Sequence, residues 1–111
     1  MKKFLDSIGR SLPDIQSQFD DYQKSHFPER SPQFFCLELN GEAGELANLE
    51  KKKWKNKIIG DDMLADEAAD VFIALMNYSN SRNIDLAGAV VSKLRWIDDK
   101  MKMLKAKGED F

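Results

Sequence analysis

The chain has 111 residues, with 17 basic against 19 acidic side chains, a formal net charge of −2 and 42% hydrophobic residues. That length suits one domain spanning 1–111 with a modest core, and the mix of apolar and charged residues with only three prolines excludes an unfolded segment. The near-neutral charge removes any global attraction to a nucleic acid polymer or an anionic membrane, and no apolar run reaches the roughly 18 residues that a membrane span needs.

Residues 1–10 read as an N-terminal arm, and their sequence MKKFLDSIGR runs into SL without the apolar core of a signal peptide. With a single cysteine, Cys36, no internal disulfide can form, so a cytoplasmic location is expected. SLPD at 11–14 predicts a helix start, with Ser11 as N-cap, Pro13 in the first turn and Asp14 completing a capping box. Ile15, Phe19 and Tyr22 continue that helix to HFPERSP. Ser31 followed by Pro32 begins a second helix, which Phe34, Phe35, Leu37, Leu39, Leu46 and Leu49 carry to about residue 55. NKIIGDD at 56–62 is a loop into a third helix containing Leu64, Val71, Phe72, Leu75 and Met76. Asp85 caps a fourth, built on Leu86, Val90, Leu94, Ile97, Met101 and Leu104, and residues 105–111 should fray. No strand alternation or repeat intervenes, so the expected fold is an all-α, four-helix bundle.

Two short stretches carry chemistry. Glu42 and Glu45 stand three apart in LNGEAGELANLE, and Glu67 and Asp70 stand three apart in ADEAADVFIAL, so each pair projects from one side of its helix. A single such pair is ordinarily a solvated helix face. If helices two and three form an antiparallel hairpin, however, the pairs meet, and four carboxylates in a small volume repel one another unless cations neutralise them. An all-oxygen donor set favours hard cations, Mg²⁺ or alternatively Mn²⁺, whereas di-iron bundle sites pair glutamate with histidine and this chain has only His26. Because Mg²⁺ usually shares its shell with substrate phosphates, a polyphosphate is the expected substrate. Gly41 and Gly44 cost roughly 1 kcal/mol each inside a helix, and with Ala43, Ala47, Ala65, Ala68 and Ala69 they would let helices approach closely.

Other residues are weaker candidates. KKKWKNK at 51–57 surrounds Trp54 with lysines at a helix C-terminus, where they suit the helix dipole. Alternatively Lys55 neutralises phosphate and Trp54 stacks on a base. Asn77 recurs seven positions after Asp70 and can share its face.

With these motifs on view, the sequence resembles the MazG-like, all-α nucleoside triphosphate pyrophosphohydrolases, whose signature is an E-x-x-E pair followed by an E-x-x-D pair. GEAGEL is most similar to the deoxycytidine triphosphate pyrophosphatase branch, and NIDLAGAVVSKL is similar to the start of the family's fourth helix. The resemblance covers about residues 11–100. It implies Mg²⁺-dependent cleavage of nucleoside triphosphates to the monophosphate and pyrophosphate, of house-cleaning type, with dCTP, dATP or non-canonical deoxynucleotides as substrates. It also implies that Glu42, Glu45, Glu67 and Asp70 hold metal and catalyse, that Lys93 binds phosphate, and that His26 and Phe27 lie near the base. A homodimer or homotetramer would complete the bundle. The family's asparagine four residues after the lysine is Ile97 here, and the aromatic residue four after the motif aspartate is Ala74, so base and sugar preference do not carry over. Two alternatives remain, a phosphoribosyl-ATP pyrophosphohydrolase on the same fold and a non-catalytic helical oligomerisation or regulatory module.

Overall fold

The computed structural model describes all 111 residues and contains four α-helices and no strand: α1 (Lys2–His26), α2 (Pro32–Trp54), α3 (Asp61–Ser81) and α4 (Leu86–Ala106). The chain forms two compact units, one of Met1–Ser17 with Ile84–Phe111, the other of Gln18–Asn83.

Two of the three expected caps, Ser31 and Asp85, are in place. Ser31 has an extended backbone and its hydroxyl accepts from Phe34 N at 3.2 Å, with Pro32 at the first helical position. The Asp85 carboxylate likewise accepts from Gly88 N at 3.1 Å. In both cases a side-chain oxygen satisfies a donor that the first turn leaves open. α2 ends on Asn56 in the left-handed region, with φ of 62°, where Lys57 N donates to Lys52 O and Asn56 N to Lys53 O, each at 3.0 Å. Asn tolerates that conformation better than most residues, and the paired bonds close the helix.

Both chain ends depart from expectation. Residues 1–10 are not an arm, because α1 begins at Lys2 and runs through Ser11 and Pro13 without interruption. The physical reason is an apolar stripe at helical spacing: Leu5 is buried and Ile8 and Leu12 are half-buried. Packing of that stripe outweighs the local start signal of SLPD, at the cost of the backbone bond that Pro13 cannot donate. At the other end, residues 105–111 do not simply fray. α4 continues to Ala106, Gly108 adopts φ of 74°, and Glu109 N donates to Leu104 O at 2.8 Å while Gly108 N donates to Lys105 O at 3.0 Å. A glycine at this position meets no steric penalty, which is why the helix stops there. Phe111 then packs edge-on against Trp96, with ring centroids 6.5 Å apart.

In the first unit, α1 and α4 are joined by Gln16. This buried side chain donates from Nε2 to Ile84 O at 2.6 Å and accepts at Oε1 from Leu86 N at 3.2 Å. In the second unit, α2 and α3 form the most extensive helix pair. Phe35, Ala74 and Met76 are buried there, Leu39, Leu46, Leu64, Val71 and Leu75 are half-buried, and the end of α1 adds Phe19, edge-on to Phe72 at 5.8 Å. The core is thin, since Leu37, Phe34, Phe72 and Ile73 all remain exposed.

Replacing Gln16 by leucine keeps the apolar volume but leaves Ile84 O and Leu86 N without this partner. The expected loss is about 2 kcal/mol of unfolding free energy, read from urea denaturation. An unchanged midpoint would show that water replaces the amide at no cost.

Candidate metal centre and the adjoining cleft

The α2–α3 hairpin decides where the two acid pairs lie. Glu42 is about 18 Å before the end of α2, whereas Glu67 is about 9 Å past the start of α3. For the two to meet, the segment 55–60 must return along the last turns of α2. The ion pair of Lys53 Nζ with Asp61 Oδ1, 3.3 Å apart, marks that return.

They do meet. Carboxylate oxygens of Glu42, Glu67 and Asp70 lie within 4.8 Å of one another, and all three side chains are half-buried. Oε2 of Glu42 and Oε2 of Glu67 are each buried with no hydrogen-bond partner. Glu45 is exposed at the margin of this group, close enough for its charge to act on both Glu42 and Glu67. The structure therefore brings all four predicted acids together, three as a tight cluster and one beside it.

Burial pushes the Glu67 carboxyl up to about 7, aided by its hydrogen bond with Glu42 and by the negative charge of Glu45. Glu42 is raised too, first by burial and then by repulsion from Glu45 and Asp70, although its bond with Glu67 pulls the other way. Two desolvated anions facing each other are unfavourable, so without a cation the pair holds a proton. Buried carboxylate oxygens lacking any donor, converging from two helices, fit a hard divalent cation, which would accept them as ligands.

A cleft of about 740 Å³ opens further along the same hairpin, at the end where α1 turns into α2. Phe27, Pro28, Arg30, Ser31, Pro32 and Phe35 line one part of it, and Asp20, Gln23, Lys24, Asn77 and Asn80 another. Phe35 and Asn77 each stand seven residues, about 10 Å along the helix axis, from Glu42 and Asp70 respectively. Seven residues are nearly two whole turns, so the cleft and the acids lie along one side of the hairpin.

Of the remaining sequence candidates, Phe27 and Asn77 are in the cleft. His26 is turned back onto its own helix, donating from Nδ1 to Tyr22 O at 2.9 Å and stacking on the Tyr22 ring. Trp54 and Lys55 are at the exposed C-terminal end of α2, with Trp54 86% exposed, and neither lines the cleft. A side chain so far out on the end of its helix cannot stack within this chain's cleft. Lys93 belongs to the other unit, where its ammonium lies 5.1 Å from the Trp96 ring centroid. Gly41 and Gly44 do not mark a close helix approach within the chain, because a Cβ at either would meet nothing within 4 Å. Both lie on a face of α2 that α3 does not cover. Sequence reasoning missed Gln23 and Lys24 as cleft residues, since nothing in the pattern of α1 distinguishes them from a solvated face.

No family model matches the chain, and no curated protein or solved structure matches it. The chain also has no helix long and apolar enough to cross a membrane.

The raised Glu67 carboxyl has a defined consequence for the metal-free protein. A folded-state pKa above the unfolded one contributes stability that is full below about 4.5 and is lost as pH rises through about 7. The melting temperature in chelator should therefore fall between pH 5 and pH 8, and Glu67→Gln should flatten that fall and melt higher than wild type at pH 8. Identical pH profiles for the two proteins in calorimetry would contradict the assignment.

Proposed function

We propose that the protein is a divalent-cation-dependent nucleotide pyrophosphohydrolase, of the MazG-like type, that converts nucleoside triphosphates, with deoxynucleotides foremost, into the monophosphate and pyrophosphate. The observation that carries this reading is the convergence of Glu42, Glu67 and Asp70, with two buried carboxylate oxygens that have no donor. Surface acids are hydrated and diverge, whereas Oε2 of Glu42 and Oε2 of Glu67 give up hydration without gaining a hydrogen bond. The arrangement is understandable if a cation is the partner.

Glu42, Glu67 and Asp70 would hold Mg²⁺, or Mn²⁺, with Glu45 beside them. When bound, the ion would neutralise triphosphate oxygens and favour attack by water. The chain's own residues supply the rest. The cluster fixes where the phosphates lie, and the cleft holds the nucleoside about 10 Å further along the hairpin. Water attacks the α-phosphorus, a new P–O bond forms, the α–β anhydride bond breaks and pyrophosphate leaves. The water's proton passes to one of the four carboxylates, taken collectively. Phe27 supplies an apolar face for the base and Asn77 a polar contact.

Association completes this reading. Leu37, Gly41, Gly44 and Asn48 follow one another at helical spacing along an exposed face of α2, and Leu37 is 73% exposed. Two glycines that weaken a helix and have no neighbour within the chain make sense where a second copy lies close against them. A homodimer or homotetramer would cover this face, and its cytoplasmic location would follow from its nucleotide substrates.

Purified protein with Mg²⁺ should release pyrophosphate from at least one member of a deoxynucleoside triphosphate panel. Glu42→Gln and Asp70→Asn should each reduce the rate about 100-fold or more while leaving the helical circular dichroism intact. No turnover on any triphosphate, phosphoribosyl-ATP included, would leave a non-catalytic helical module. Independently, Leu37→Glu and Gly44→Leu should shift the mass measured by light scattering towards the monomer. An unchanged oligomer in both variants would place the interface elsewhere.

A further inference from the structure

Two neutral side chains from different helices meet in the lining of the cleft. Gln23 on α1 and Asn77 on α3 are joined by a hydrogen bond from Asn77 Nδ2 to Gln23 Oε1, 3.3 Å long, and both line the cleft. Asn77 is only 7% exposed and Gln23 is half-buried, so neither is an ordinary surface amide.

Each primary amide carries an acceptor oxygen and a nitrogen with two hydrogens. The bond between them uses the oxygen of one and one hydrogen of the other. What remains for a ligand is an acceptor, Asn77 Oδ1, beside a donor, Gln23 Nε2. Exchanging nitrogen and oxygen in both side chains leaves the same outcome, one acceptor next to one donor, so the recognition chemistry does not depend on how the amides are turned. Phe27 and Phe35 border the same cleft with flat apolar surface.

A donor next to an acceptor on a planar, stackable group is the pattern of a nucleobase pairing edge. An exocyclic amine beside a ring nitrogen has it, and so does a ring N–H beside a carbonyl. The phosphates carry no donor, the sugar hydroxyls are not on a planar group, and the C5–C6 edge of a pyrimidine carries neither group; away from the pairing edge, the N6–N7 edge of adenine shares the pattern, and the methylated substrates below separate the two. We infer that Gln23, together with Asn77, reads the pairing edge of an unpaired nucleobase and that Gln23 is the specificity-determining residue of the cleft. The inference rests on the nucleotide reading above and adds to it the edge that is read and the residue that reads it. In a duplex that edge is occupied by the partner base, so the base that is read is unpaired, as it is in the free triphosphate proposed above.

The test uses the full-length protein with Mg²⁺. The preferred deoxynucleoside triphosphate is compared with two methylated forms, one bearing the methyl on a pairing-edge nitrogen, the other on a ring carbon away from that edge. Wild type should lose about tenfold or more in kcat/KM for the first, mainly through KM, and less than about threefold for the second. Gln23→Leu should raise KM for the parent substrate about tenfold, leave kcat within about threefold and abolish the discrimination between the methylated forms. Gln23→Glu keeps the shape and removes the donor, so it should give the same rise in KM should the leucine variant fold poorly. Wild-type discrimination retained by both variants, with hydrolysis intact, would overturn the role of Gln23 and leave the nucleotide reading standing. Failure of wild-type protein to hydrolyse any of the panel would overturn that reading, and this inference with it.

Discussion

Like charges brought together across the α2–α3 hairpin are the constraint on which the rest of the arrangement depends. Helix pairing alone would favour an apolar seam, and much of this seam is apolar, with Leu39, Leu46, Leu64, Val71 and Leu75 half-buried. At the level of Glu42, Glu67 and Asp70 the seam instead holds three carboxyl groups within 4.8 Å. Burial and mutual repulsion both disfavour the ionised state there, which is why Glu67 is pushed up to about 7. A fold that keeps such a cluster gives up stability at that point, and strain of this kind concentrates where chemistry is done.

The hairpin also sets a linear order. Carboxylates occupy one level of α2 and α3, and about two turns away the same two helices, joined by the end of α1, border a cleft of polar amides and aromatic rings. Phe35 and Asn77 repeat the positions of Glu42 and Asp70 at an interval of seven residues, so one surface presents charge at one level and flat apolar and amide groups at another. With a divalent cation held by the carboxylates, as proposed above, an elongated ligand with an anionic end and a planar end would match that sequence of environments. The rigid elements here are helices rather than loops, which favours fixed positioning of whatever binds.

Much of this was legible in the residues and some was not, for identifiable reasons. Ser31, Pro32 and Asp85 announced their helices because capping is a local interaction between a side chain and the next few backbone amides. The two acid pairs were legible because helical spacing alone places each on one side, and the hairpin then needed only to bring them level. The start of α1 was misread: SLPD carries a strong local signal, yet Leu5, Ile8 and Leu12 pack and draw residues 2–10 into the helix. The tail was legible in part: residues 107–111 lie outside the helix and are exposed, but the positive φ of Gly108 closes α4 with two backbone bonds rather than letting it unravel. Gly41 and Gly44 promised a close contact that α3 does not supply, since sequence cannot say which chain covers a helix face. Gln23 gave no sign, because its hydrogen-bond partner, Asn77, is 54 positions away in the chain.

The proton held between Glu42 and Glu67 has a thermodynamic consequence for anything that takes its place. Near neutrality the folded chain retains part of a hydrogen ion that the unfolded chain would have released, so a cation entering the cluster, as proposed above, would be an exchange rather than a simple addition. The liberated hydrogen ion is taken up by the surrounding buffer. A heat of cation uptake would therefore include the ionisation enthalpy of that buffer, and the apparent affinity would strengthen as the solution becomes more alkaline.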